Sequence, residues 1–125
     1  MRGGMGLYKA KRIDNGEWVE GSLLYDTEQN EAYIAESFED RAAYLRQVNP
    51  ETIGQWTGLV DKNGVKIFEG DIVDILTENE ETGVVTFEEG CFIVQADGFC
   101  VNFYDNINGT DVEAIGNIHD KAVEE

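Results

Sequence analysis

The chain has 125 residues, 42% of them apolar, with nine Lys plus Arg against 26 Asp plus Glu for a net charge of −17. That size suits one domain burying about two-thirds of its unfolded surface, and the apolar content excludes a disordered chain. A field of this sign repels nucleic acid and anionic membranes, because phosphate contacts need clustered cations, so neither is expected as a partner.

Leu7 to Ile13 reads as a strand closed by Asp14-Asn15-Gly16, a strong turn signal. Its partner runs from Glu17 to Tyr25, with Val19, Gly21, Leu23 and Tyr25 on one face. Asp26 to Glu31 is polar and turn-like. Tyr33 to Ala35 and Tyr44 to Val48 read as two further strands. Between them Ser37-Phe38-Glu39-Asp40 has the form of a helix start, and Pro50 ends any helix that follows.

Leu59 to Phe68 reads as a hairpin. Asn63-Gly64 favours a two-residue type I′ turn, in which both residues take positive φ. That register sets Asp61 opposite Lys66, Val60 opposite Ile67 and Leu59 opposite Phe68. Gly70-Asp71 then leads into the apolar strand Ile72 to Leu76, followed by the acidic loop Glu78-Asn79-Glu80-Glu81.

Val84 to Tyr104 forms a three-stranded meander. With Glu89-Gly90 and Asp97-Gly98 as two-residue turns, Val85, Phe87, Phe92, Val94, Ala96, Phe99, Val101 and Phe103 fall on one face. The other face carries Val84, Thr86, Glu88, Cys91, Ile93, Gln95, Cys100, Asn102 and Tyr104. A slip of one residue would scramble both faces, so the register is set. In this register Cys91 and Cys100 lie about 13 Å apart at about 3.3 Å per residue. A disulfide requires about 7 Å or less, so no intrachain bridge is expected. Val112 to Ile118 is the last strand. These glycine-punctuated strands predict a mostly-β fold with little helix: an antiparallel sheet or small SH3-like barrel core over residues 58–120, beside an N-terminal β-hairpin sheet over 6–57. Residues 6–120 make the domain, with frayed ends at 1–5 and 121–125.

The start Met1 to Gly6 lacks the apolar run of an export signal, and no segment is apolar enough to span a bilayer. A cytoplasmic protein with two reduced thiols is expected. Charge is uneven along the chain. Arg2, Lys9, Lys11 and Arg12 fall in the first twelve residues, where there is no acid, while Ile67 to Asp120 holds thirteen acids and no Lys or Arg. Acids on loops and outer faces solvate a fold. Such a distribution also suits a basic partner, or a basic edge meeting an acidic face of another copy.

No chemistry-bearing motif survives inspection. Nucleophilic catalysis needs a base near Ser or Cys, and the only histidine, His119, has no such local signature. Two cysteines separated by eight residues and one histidine match no zinc spacing. Asp61-Lys62-Asn63-Gly64 opens like a calcium-binding loop, but Val65, Lys66 and Ile72 stand where an oxygen ligand, glycine and glutamate belong. There is no GxGxxG or Walker-type loop. Trp18 and Trp56 are read as core packing rather than stacking platforms. No catalytic, cofactor-binding or metal-ligating residue is assigned, and no cofactor is expected; a metal-dependent enzyme is the minor alternative.

Val48-Asn49-Pro50-Glu51-Thr52-Ile53-Gly54-Gln55-Trp56-Thr57-Gly58-Leu59 and Asp61-Lys62-Asn63-Gly64, with Ile67-Phe68-Glu69-Gly70-Asp71-Ile72-Val73, resemble the signature block of the YopX family of phage and prophage proteins. Tyr8-Lys9-Ala10-Lys11-Arg12 with Asn15-Gly16-Glu17-Trp18-Val19-Glu20-Gly21 is similar to the family's opening, and Ile115-Gly116-Asn117-Ile118-His119-Asp120 to its close. Val65 and Ile53 stand where Lys and Val are expected. The resemblance implies a β-rich, phage-encoded protein without an established activity, and is compatible with a homo-oligomer. Three functions follow as expectations. The first is an accessory phage protein that binds proteins as a small homo-oligomer, with a host or phage protein of basic surface as a further partner. The second is an acidic mimic of nucleic acid that inhibits a host DNA-binding protein. The third is a nucleic-acid-binding SH3-like module using Lys9, Lys11 and Arg12.

Overall fold

A computed structural model describes residues 7–37, 43–76, 81–96, 99–102 and 112–120, with backbone alone for Ser37, Ala43 and residues 99–102. The chain divides into two compact units, Met1–Trp56 and Thr57–Glu125.

In the first unit, β1 (Tyr8–Lys11), β2 (Trp18–Asp26), β3 (Glu31–Ser37), β4 (Ala43–Val48) and the start of β5 (Gly54–Val60) are ordered β4-β3-β2-β1-β5. All pairings are antiparallel. The turns are built by the residues the sequence singles out. Asn15 Oδ1 accepts the Glu17 N–H at 2.9 Å, and Gly16 takes φ 75°. Asp26 accepts the N–H groups of Glu28 and Gln29, side-chain bonds that favour such turns. Ser37 ends β3; the rest of the expected helix start lies outside the described residues.

Beyond Lys11 the chain does something that short-range patterning does not foresee. Arg12 bridges Val48 of β4. Ile13 donates its N–H to Gln47 at 3.0 Å, and Asn49 donates to Lys11 at 2.9 Å. The sheet therefore curls until its fourth strand touches the end of its first, through one bridge rather than a ladder. Ala10, Val19, Ala32, Ile34 and Val48 are buried inside the curl, with Tyr8, Leu23 and Ile53 packed against them. Period-2 alternation selects these residues. Gly21 is required at the tightest approach, because a Cβ there would fall on the Ala35 carbonyl.

Pro50 opens a 3-10 turn, Pro50–Thr52, instead of only ending one. Asn49 caps it by accepting the Glu51 N–H at 3.0 Å, and proline at the first position loses no bond that the turn needs. Thr52 Oγ1 donates to the Asn49 carbonyl and accepts the Lys11 N–H at 2.8 Å. The turn is thereby tied to β1.

The second unit holds the end of β5, β6 (Lys66–Phe68), β7 (Asp71–Ile75), β8 (Thr82–Glu88), β9 (Cys91–Ala96), β10 (Phe99–Asn102) and β11 (Val112–Asn117). Five of these make an antiparallel sheet ordered β10-β9-β8-β7-β11. The expected antiparallel β fold is present, but the described strands form an open sheet with β10 and β11 at its edges, not a closed barrel. The meander has the predicted register: Phe87 faces Phe92, Glu88 faces Cys91, Ala96 faces Phe99 and Gln95 faces Cys100. Glu89 and Gly90 take φ 53° and 84°, as a type I′ turn demands. Val85, Phe92 and Val94 join Ile67, Val73, Ile75 and Val112 in the buried core. Phe87 departs from the expectation: at the hairpin end it is 46% exposed and meets Phe92 edge-on at 4.8 Å. Phe103 and Tyr104 lie outside the described residues, as do residues 78–80 of the acidic loop and the Asp97-Gly98 turn. Cys91 is a free, exposed thiol.

The hairpin at Asn63-Gly64 needs correction. Asp61 donates its N–H to Val65 at 2.8 Å, and Gly64 donates to Asp61 at 3.0 Å. Only Gly64, at φ 84°, is left-handed there, so the connection is a three-residue loop and the register slips by one. Counting outward sets Leu59 with Ile67, and Leu59 does pack on the cluster that holds Ile67. The physical cause is Asp61, whose Oδ1 accepts the N–H groups of both Asn63 and Val65 at 2.8 and 2.9 Å. That side chain holds the longer loop closed.

Candidate functional site

The buried polar groups were natural suspects for chemistry, and in the second unit they serve the backbone. Asp61, 2% exposed, accepts from Asn63, Val65 and Ala114. Burial pushes its carboxyl up, but those three N–H groups and the Lys62 charge outweigh this and hold it below the ordinary carboxylate value. Asp71 accepts the Phe68 N–H at 2.8 Å and the Asn117 side-chain amide at 2.9 Å. Asn117 in turn accepts the His119 N–H and donates its own N–H to Asp120. These bonds join the turn before β7 to the end of β11. His119 thus enters through its backbone at a strand end.

Among the described residues no three His, Cys, Asp or Glu side chains are grouped to hold a metal ion. None of the described helices is long and apolar enough to cross a membrane.

Charge and aromatic surface converge instead on the outward face of the first unit. Lys9 stands opposite Glu20, and Lys11 opposite Trp18, so all four side chains share the face away from Ala10 and Val19. The Lys9 ammonium lies 4.6 Å from the Trp18 ring centre and that of Lys11 lies 5.6 Å away, within cation–π range. Tyr33 and Leu24 are opposite each other on the same face, and Leu24 is 47% exposed. Trp56 reaches this face too, since its N–H bonds Leu7 and Gly54 pairs with Lys9. Both tryptophans are half-buried and belong to neither core cluster. The expectation that they pack the core is therefore corrected: strand parity sends them outward.

A second feature lies at the edge of β4. Where the chain leaves the Arg12–Val48 bridge, a cleft of about 210 Å³ opens, lined by Arg12, Ile13, Asp14, Leu45, Arg46 and Gln47. The Arg12 guanidinium grips Asp14 with two nitrogens at 2.9 and 2.7 Å. That bond holds the Asp14 carboxyl below its ordinary value, against the opposing effect of desolvation, and raises Arg12. Arg46 Nε donates to Glu36 at 2.9 Å, and its guanidinium lies 5.4 Å from the Tyr44 ring.

The described residues thus make an all-β protein of two sheet units, in which the buried Asp61 and Asp71 carboxylates accept from backbone N–H groups and Lys9, Lys11, Trp18 and Trp56 lie on an outward face. The chain belongs to the YopX family: the family model described as YopX protein matches residues 7–123. Comparison with curated proteins finds no significant match.

Proposed function

We propose that this protein is a non-enzymatic phage accessory protein that acts in the cytoplasm of the host cell by protein–protein contact, and that it self-associates into a small homo-oligomer. The supporting observation is the outward face of the first unit, where Lys9 and Lys11 flank Trp18 beside the exposed Leu24. Exposed aromatic side chains are what protein interfaces concentrate, and lysines beside them steer a partner of opposite charge. A complementary charge is carried by every copy, because Ile67 to Asp120 holds acids but no Lys or Arg. The lopsided charge therefore favours a heterologous contact between copies.

Sedimentation at rising salt tests this. A wild-type oligomer that weakens with salt, and a Lys9→Glu/Lys11→Glu variant that sediments as a monomer, are the expected results. A monomeric wild type at low salt would reject the oligomer.

The run of thirteen acids without Lys or Arg favours a second reading, in which the acidic half mimics nucleic acid and blocks a DNA-binding protein. Capture of a basic DNA-binding enzyme, released early as salt rises, would support it. Capture that ignores salt would count against it.

A further inference from the structure

The cleft beside β4 is lined by none of Lys9, Lys11 and Trp18 and carries an inference of its own. The backbone groups of an antiparallel edge strand alternate between pairing inward and pointing outward. Gln47 already offers its carbonyl outward, to Ile13. Two residues earlier in an unshifted ladder, Leu45 must point its N–H and C=O the same way, into the cleft. The described residues put no strand against Leu45 there. By contrast, on β11, an edge strand of the five-stranded sheet, the Ala114 N–H and the Val112 carbonyl are taken by Asp61 and Lys62. Among the described residues these two edges are thus treated in opposite ways.

The side chains around this edge are sorted by strand parity. Arg12 and Arg46 stand on the same side as Val48, while Ile13, Leu45 and Gln47 stand on the other. Ile13 is 56% and Leu45 58% exposed. A chain laid along the edge would meet guanidinium groups with one set of alternate residues and apolar side chains with the other. Arg12 is already shaped for a carboxylate, since it holds Asp14 through a two-nitrogen fork. Asp14 is 66% exposed, so it remains hydrated if displaced, and an exposed ion pair contributes little that would resist exchange.

We propose that this cleft binds an extended peptide with alternating acidic and apolar residues, which adds to the edge of β4 at Leu45 and places a carboxylate on Arg12 in the position now held by Asp14. Strand addition supplies affinity through the main chain, and the alternate side chains supply selectivity. The net charge of −17 weakens binding of an acidic peptide, but repulsion from charges beyond about 8 Å is largely screened at physiological ionic strength, so the Arg12 contact decides.

The probe is a fluorescein-labelled Val-Asp-Val-Asp-Val-Asp-Val peptide, with the Asn-for-Asp peptide as control, read by anisotropy against the full chain. The Asp peptide binds in preference to its control. Asp14→Asn, which removes the competing carboxylate, tightens binding about two- to fivefold, the equivalent of one exposed ion pair. Arg12→Gln weakens it about tenfold or more. Leu45→Pro removes an outward N–H that an edge strand can spare and abolishes binding, with circular dichroism checking that the sheet persists. Equal binding of the two peptides, or an Asp14→Asn variant that binds no tighter, overturns the proposal. So does a Leu45→Pro variant that dissociates an oligomer while wild type ignores the peptide, because the edge would then be occupied by a second copy.

Discussion

The Asp61 carboxylate accepts the backbone N–H of Ala114 at 2.9 Å across a sequence separation of 53 residues. Beside it, Lys62 donates its N–H to the Val112 carbonyl at 3.1 Å. β11 is an edge strand of the five-stranded sheet, and exposed edges invite pairing with other chains. The β5–β6 loop covers this one with a side chain and a single backbone group. Asp61 therefore both shapes its own loop and caps an edge far along the chain.

Replacing Asp61 with Ala leaves the N–H groups of Asn63, Val65 and Ala114 without their acceptor. Unmet buried donors are costly, so the variant should lose about 2–4 kcal/mol in urea unfolding. Asp61→Asn keeps one oxygen and should lose less. If Asp61→Ala unfolds at the wild-type midpoint, the carboxylate is not holding the loop to β11.

The same group predicts a pH dependence. Burial works against its ionised form, but the bonds from Ala114, Val65 and Asn63 and the Lys62 charge leave its folded pKa lowered. A carboxyl depressed on folding stabilises the native state above the unfolded value of about 3.9. That contribution is lost as pH falls through the lower folded pKa. Urea midpoints for wild type should therefore fall more steeply than those of Asp61→Asn below about pH 4. Parallel curves would show that Asp61 does not ionise preferentially in the fold.

Gly21→Ala should be severely destabilising, because its Cβ would meet the Ala35 backbone carbonyl and the Ile34 side chain. Neither β2 nor β3 can yield without breaking the curl, and overpacking of this kind costs about 3 kcal/mol or more. The neighbouring exposed Ser22 provides the control, since Ser22→Ala should change stability by about 0.5 kcal/mol or less. Similar midpoints for the two variants would mean that the strands separate easily at this point.

What the sequence reveals depends on how far apart the deciding residues lie. The β8–β9 register was legible because two alternating faces agree with one turn, and only one register satisfies both. The Asn63-Gly64 dipeptide misled because its turn preference was weaker than the Asp61 side chain, which replaces backbone acceptors and lengthens the loop. The outward placement of Trp18 was available from its pairing with Lys11 in the first hairpin, and the capped turn from Asn49-Pro50-Glu51. The Arg12–Val48 bridge was not available. No local pattern brings those strands together; the curl that does so buries Ala10 and Ala32 completely and leaves no room for a Cβ at Gly21. The β4 cleft exists only because of that bridge, so it was hidden too.

Cys91 is exposed and unbonded, opposite Glu88 in the β8–β9 hairpin. It should react with a chromogenic disulfide reagent in the native protein without denaturant, and Cys91→Ser should remove its share of the reaction. A wild-type protein that shows no reactive thiol until unfolded would contradict the placement of this hairpin.

The turn of that hairpin offers a stabilising change. Glu89 holds φ 53°, a left-handed conformation that an ordinary side chain disfavours and asparagine tolerates. It is followed by Gly90 at φ 84°, so Glu89→Asn would create the Asn-Gly pair that type I′ turns prefer. The variant should gain about 0.5–1 kcal/mol in urea unfolding. It also removes one of two adjacent acids, Glu88 and Glu89, and relief of repulsion could imitate the gain. Glu89→Gln separates the two causes, because it loses the charge but keeps an unbranched side chain unsuited to positive φ. Stabilisation by Asn alone would assign the effect to the backbone; equal gains from Asn and Gln would assign it to charge.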